Sequence, residues 1–134
     1  MRYQPCWKQI GISVDRYREL LHFCRQYPEW KTEANSLLGI RALKMDGQPH
    51  GNGKSDPVLM AAERREKLIE KIAILDDCAR EIEVGVWYSE IIQNVCIGKS
   101  YTQMDRALMP TSDANAFFRR RREFFDILNK RKTD

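Results

Sequence analysis

Thr111-Ser112-Asp113-Ala114-Asn115-Ala116-Phe117-Phe118-Arg119-Arg120-Arg121-Arg122-Glu123-Phe124-Phe125-Asp126-Ile127-Leu128 is the stretch on which the fold turns. At 100° per residue, Ala114, Phe117, Phe118, Phe124, Phe125 and Leu128 fall within about a third of the circumference, which predicts an amphipathic helix with a phenylalanine back. Thr111 or Ser112 is its expected N-cap, and Pro110 stops whatever comes before it. The opposite face carries Asn115, Arg119, Arg120, Arg122, Glu123 and Lys130. Arg121 projects toward the apolar side, so its stem is expected to pack while its guanidinium reaches past the rim.

Working upstream, Ser100 and Gln103 have the spacing of a capping box, predicting a short helix from Ser100 through Leu108. Before it, Trp87, Ile91, Ile92 and Val95 repeat at helical spacing and Gly98 follows as a C-cap residue. Asp56 and Pro57 are a capping residue and a first-turn proline. From there Val58, Ala61, Ala62, Leu68, Ile72, Leu75, Ala79 and Ile82 trace one long apolar face. That helix would span about 25 residues, roughly 37 Å at 1.5 Å per residue. Glu66 with Glu70 and Lys67 with Lys71 are like-charge pairs four apart, so packing rather than side-chain pairing must hold it. Near the N-terminus, Val14, Tyr17, Leu20, Leu21, Cys24 and Tyr27 form another helical stripe, with Ser13 as N-cap. Pro28 interrupts it and opens a second helix bearing Trp30, Ala34, Leu37, Leu38 and Ala42, so a kink or tight helix-to-helix turn is expected there.

No segment shows strand alternation. The expected fold class is all-α, a helical bundle with a C-terminal helix-turn-helix. Its expected segments are an N-terminal helical segment (1–44), a Gly/Pro-rich loop (45–57), and the long helix plus helix-turn-helix (58–134).

The chain has 134 residues, 43% apolar and 31% charged, which is one domain's worth of folded polypeptide. No apolar run approaches the roughly 18 residues of a membrane span, and Met1–Lys8 has no signal-peptide character, so no membrane is expected and the cytoplasm is the expected location. Cys6, Cys24, Cys78 and Cys96 form no Cys-x-x-Cys pair and have no histidine at ligand spacing. They read as reduced thiols, Cys24, Cys78 and Cys96 in the core, with no metal site. His22 and His50 lack triad-like context. Gly53-Lys54-Ser55 resembles the end of a P-loop, yet the first glycine of that motif would fall at position 48, which is Gln48. No strand feeds the loop either. Neither an enzyme nor a cofactor is expected, and a structural or partner-contacting role suits the loop better.

Charge points to a partner. Residues 1–116 carry 16 basic and 16 acidic side chains, whereas residues 117–134 carry 7 and 3, so the whole net charge of +4 lies in the last 18 positions. A neutral body with a basic terminal helix fits polyanion binding. Two helices joined across Met109–Ser112, the second opening on small polar residues and exposing arginines, outline a helix-turn-helix reader of double-stranded DNA. The phenylalanines would hold the reader on its scaffold. Ser112, Asn115 and Ala116 form its tip, and Arg119, Arg120, Arg122 and Lys130 supply cations. Asn115 suits adenine and Arg119 guanine in the major groove. Lys99, Ser100 and Thr111, near helix N-termini, would hold phosphate.

Three segments carry a resemblance: Leu21 to Lys31 (LHFCRQYPEWK), the loop from Met45 to Pro57, and Met109-Pro110 with the run from Phe117 to Phe125. In these the chain resembles small phage and prophage proteins of Gram-positive bacteria, the RinA/ArpU-type late transcriptional regulators, whose C-terminal half is similar to sigma-factor region 4. The likeness covers residues 13–130. It implies a DNA-binding regulator of phage late genes that reads DNA with the helix from Ser112 in its bacterial host cell; a homodimer and a contact with RNA polymerase, as region 4 of a sigma factor makes, are partners this reading leaves open. In one departure, Thr111-Ser112-Asp113 stands where relatives tend to carry Cys-Gly-Arg after Met-Pro. Asp113 suits the helix dipole but repels a nearby phosphate. The alternatives are a DNA-packaging recognition protein like a terminase small subunit, and a phage inhibitor of a host protein of the anti-CRISPR type.

Overall fold

Side-chain caps set the ends of the principal helices. In the computed structural model, which describes residues 4–44 and 56–132, every regular element is helical. After the single turn α1 (Cys6–Gln9), Ser13 Oγ accepts from the Arg16 amide and starts α2 (Val14–Arg25), as its spacing predicts. Only Gln26 separates α2 from α3 (Tyr27–Lys44), so Pro28 falls in the first turn of a new helix, where its missing N–H costs nothing. Asp56 Oδ1 accepts from the amides of Val58 and Leu59 at 3.0 and 3.2 Å, and α4 runs over Pro57–Glu81, matching the expected long helix. The rest of the Gly/Pro-rich loop, residues 45–55 with the Gly53-Lys54-Ser55 run, lies outside the described residues.

Beyond α4 the backbone does what no sequence pattern announces. The 3-10 turn Ile82–Gly85 passes through three consecutive left-handed residues, Glu83 (φ 46°), Val84 (φ 53°) and Gly85 (φ 79°). Glycine is at ease there; a β-branched valine is not. The expected helix of Trp87, Ile91, Ile92 and Val95 is present as α5 (Tyr88–Ile91), which widens into a π-helical stretch over Ile92–Ile97. Gly98, at φ 90°, ends it, and the Lys99 amide reaches back to the Gln93 carbonyl at 2.9 Å in a Schellman-type closure.

The short helix expected from Ser100 to Leu108 does not form as one element. Ser100 and Gln103 make the predicted capping box. The turn ends at once, because Met104 takes an extended conformation (ψ 151°) to bury its side chain, and Asp105 caps a second 3-10 turn, Arg106–Leu108. Met109 is extended as well. The last helix, α6 (Ala114–Arg131), is capped by Asp113 rather than by Thr111 or Ser112: Asp113 Oδ1 accepts from the Asn115 amide at 3.0 Å, and Thr111 Oγ1 accepts from the Asp113 amide one turn earlier.

The helices make two compact units, one within Met1–Tyr27 and Ile74–Asp134, the other within Pro28–Ala73. The sequence placed its boundaries at the 45–57 loop instead. The structure groups α2 with the C-terminal helices, because Leu20 and Cys24 are buried in one core with Leu75, Cys78, Ile82, Trp87, Ile91, Val95, Phe117, Phe124, Phe125 and Leu128. The Tyr17 and Phe125 rings meet at a tilt with centroids 4.9 Å apart, and Trp87 meets Phe117 at 6.2 Å. A polar anchor holds the same unit: the hydroxyls of Tyr27 and Tyr88 both donate to Asp76 Oδ1, at 2.9 and 2.6 Å. In the other unit Trp30, Ala34, Ala61 and Leu68 are buried, Lys71 Nζ lies over the Trp30 ring, and Arg64 pairs with Glu33 at 2.8 Å. No helix among the described residues is long and apolar enough to cross a membrane.

Candidate nucleic-acid interface

The cap at Asp113 fixes which side chains α6 turns outward. With Phe117, Phe124, Phe125 and Leu128 fully buried, Asn115, Arg119 and Arg122 follow one another at i, i+4 and i+7 along one face. Asn115 and Arg119 are exposed, Ala116 and Arg122 are half-buried, and Thr111 and Ser112 are exposed just before the helix. Arg119 and Arg122 have no ion-pair partner among the described residues.

Arg120 has a different setting. Its guanidinium pairs with Glu83, in the left-handed turn, and with Glu123 at 2.6 Å, and its Nε is buried without a hydrogen-bond partner among the described residues. It ties α6 to the 82–85 turn, where Glu83 also accepts from the Trp87 indole at 3.1 Å. Lys130, near the end of α6, pairs with Asp126 at 3.1 Å. Arg121, expected to pack its stem, does so: it donates to Asn94 Oδ1 and Tyr17 Oη, both at 2.8 Å, and lies 4.9 Å from the Phe125 ring.

Lys99, Ser100 and Arg122 come together at a cleft of about 490 Å3 in the first unit. The sequence reading missed the residues that complete it: Arg25 from α2, Arg121, and the aromatic rings of Tyr101 and Phe118. Phe118, assigned by periodicity to the apolar face, is 42% exposed, and its ring lies 5.7 Å from that of Tyr101. Arg25 donates from Nε to the Val95 carbonyl at 2.8 Å, and a Cβ added at Gly98 would lie 3.1 Å from Arg25 Nη1. The glycine therefore serves both its φ and the passage of that guanidinium. Gly98-Lys99-Ser100-Tyr101 was the local signal for this cleft; Arg25 is joined to it only by the tertiary fold.

The thiols are quiet. Cys24, Cys78 and Cys96 are buried and free, as expected. Burial pushes the Cys24 thiol far up, with the neighbouring Cys96 adding to it, and pushes Cys78 up to about 11. Cys6 lines the cleft, and there burial raises its thiol while Arg121 and Arg122 draw it down. Among the described residues no group of three His, Cys, Asp or Glu side chains is placed to hold a metal ion. No protein-family model, curated protein or solved structure matches the chain.

Proposed function

We propose that the protein is a sequence-specific DNA-binding regulator of phage or prophage genes, working in the cytoplasm of a bacterial host as a dimer and touching RNA polymerase. The observation that carries the reading is the exposed face of α6, where Asn115, Arg119 and Arg122 align and neither arginine is neutralised by a carboxylate among the described residues. Such a face can enter a major groove with Asn115 and Arg119 on base edges, while Arg122 and Lys99 meet phosphates. Arg120 and Lys130 contribute less than the sequence suggested, since each already has a carboxylate partner.

The geometry of the reader differs from a helix-turn-helix in its first member, which is two 3-10 turns. The support for α6 comes instead from α2 and α5, which pack against its phenylalanine side. Fluorescence anisotropy on duplexes tiled across the late region of the source prophage, at two salt concentrations, tests the reading. One duplex is expected to bind far more tightly than the rest, and uniformly weak binding would overturn sequence-specific recognition. The short, broken element before α6 favours a second reading, a stoichiometric inhibitor of a host protein. It predicts a complex whose stability survives loss of Arg119.

A further inference from the structure

We propose that the cleft between α2, the Gly98–Tyr101 turn and α6 is a binding site for a free nucleoside diphosphate. This goes beyond the DNA-binding reading and does not depend on it. Arg25, Lys99, Arg121 and Arg122 all line the cleft, and no carboxylate among the described residues does. None of the four makes an ion pair among the described residues. Arg25 and Arg121 are instead held by neutral acceptors, the Val95 carbonyl, Asn94 Oδ1 and Tyr17 Oη, which orient the guanidinium groups and leave their charge uncompensated.

Elsewhere several arginines are neutralised, Arg16 by Glu19, Arg64 by Glu33, Arg120 by Glu83 and Glu123, and Arg131 by Glu81, while Arg65, Arg80, Arg106 and Arg119 stand apart without an ion pair among the described residues. Four cations gathered round one concavity, two of them rigidly positioned, are what a multiply charged anion needs, and guanidinium suits the paired oxygens of phosphate. A volume of about 490 Å3 falls in the range of small-ligand sites. Phe118 supplies a second requirement, an aromatic face 42% exposed beside Tyr101, on which a flat base can pack. A diphosphate at the cations and a base against Phe118 use both halves of the cleft.

The same chemistry could reach the cleft as part of a DNA strand, so the experiment has an arm for each source. Calorimetric titration of the full chain with ADP, GDP, CDP and UDP, with inorganic phosphate, with the parent nucleosides and with a 12-base-pair duplex is paired with the rate of Cys6 alkylation. Cys6 lines the cleft and the other three thiols are buried. At least one diphosphate is expected to bind tenfold or more tightly than phosphate or its own nucleoside, and to slow Cys6 alkylation fivefold or more. The Lys99→Gln/Arg122→Gln variant breaks no ion pair among the described residues, so it should fold, with an unchanged melting profile as the check. It should weaken the diphosphate at least tenfold. Phe118→Leu should bring the diphosphate down to the affinity of phosphate alone.

Failure of every diphosphate to bind at millimolar concentration overturns the inference, as does equal binding by the double variant. A duplex that protects Cys6 where no nucleotide does assigns the cleft to DNA and overturns it too, leaving the regulator reading intact. Nucleotide binding that protects Cys6 upholds it whether or not the duplex binds, and the regulator reading then stands or falls on the tiled duplexes.

Discussion

Val84 sits at φ 53° and ψ 43° with its side chain 95% exposed, so it takes on left-handed strain without burying anything in return. Left-handed backbone costs an L-residue about 1–2 kcal/mol, more for a β-branched one, and glycine escapes the penalty. Val84→Gly is therefore expected to stabilise the fold by about 1 kcal/mol, read as a higher urea midpoint. Glu83, next to it, holds Trp87 and Arg120, so Arg120→Ala should lower stability by about 1–3 kcal/mol, whereas Arg119→Ala, with nothing to release, should leave it within about 0.5 kcal/mol. Glu90 is buried, and burial raises its carboxyl above the ordinary range. A carboxyl whose folded pKa lies above its unfolded one contributes most stability below the unfolded value, and that contribution is lost as pH rises through the folded value. Glu90→Gln should accordingly be more stable than the parent at pH 7, with the two converging below about pH 4, near the unfolded carboxylate value. Urea titrations at a series of pH values check both the sign and the convergence.

At the scale of elements, Asp76 on α4 is the shared acceptor for Tyr27, the first residue of α3, and Tyr88, the first of α5. Asp76→Ala would remove the acceptor that both hydroxyls share, and at about 1–3 kcal/mol for a lost buried partner it should cost about that much, while Asp76→Asn keeps an acceptor and loses less. Denaturant melts of the two variants separate these outcomes. What was legible in the sequence at this scale is what local chemistry decides: the caps at Ser13 and Asp56, the 25 residues of α4, the capping box at Ser100 and the buried phenylalanines of α6. What escaped depends on distant residues. Glu83 and Val84 carry no turn signal, yet the turn holds them left-handed, with Trp87 and Arg120 both bonded to Glu83. Met104 breaks the short helix by being drawn into the core, and Phe118 leaves the apolar stripe to face the cleft beside Tyr101.

For the molecule as a whole, the candidate site was half legible. The sequence identified Lys99, Ser100, Asn115, Arg119 and Arg122 as groups for a polyanion, and Lys99, Arg119 and Arg122 make no ion pair among the described residues. It could not show that Arg120 is spent on Glu83, or that Arg25 crosses Gly98 to join Arg122. The acidic residues of α6 that remain exposed or half-buried, Glu123 and Asp126, engage Arg120 and Lys130, which confines the free positive charge to the first two turns and the cleft beside them. A duplex docked there should lose about one unit of its salt slope in Arg122→Ala, on every sequence alike, as measured by anisotropy over a salt series. The most direct test of the central claim sets Arg119→Ala against the parent chain on the best-bound duplex and on single-base variants of it. Selective loss of about 1–3 kcal/mol, roughly 5- to 150-fold in affinity, with relaxed preference at one base position and an unchanged melting profile, is the predicted result. Unaltered affinity and preference on every duplex would contradict it.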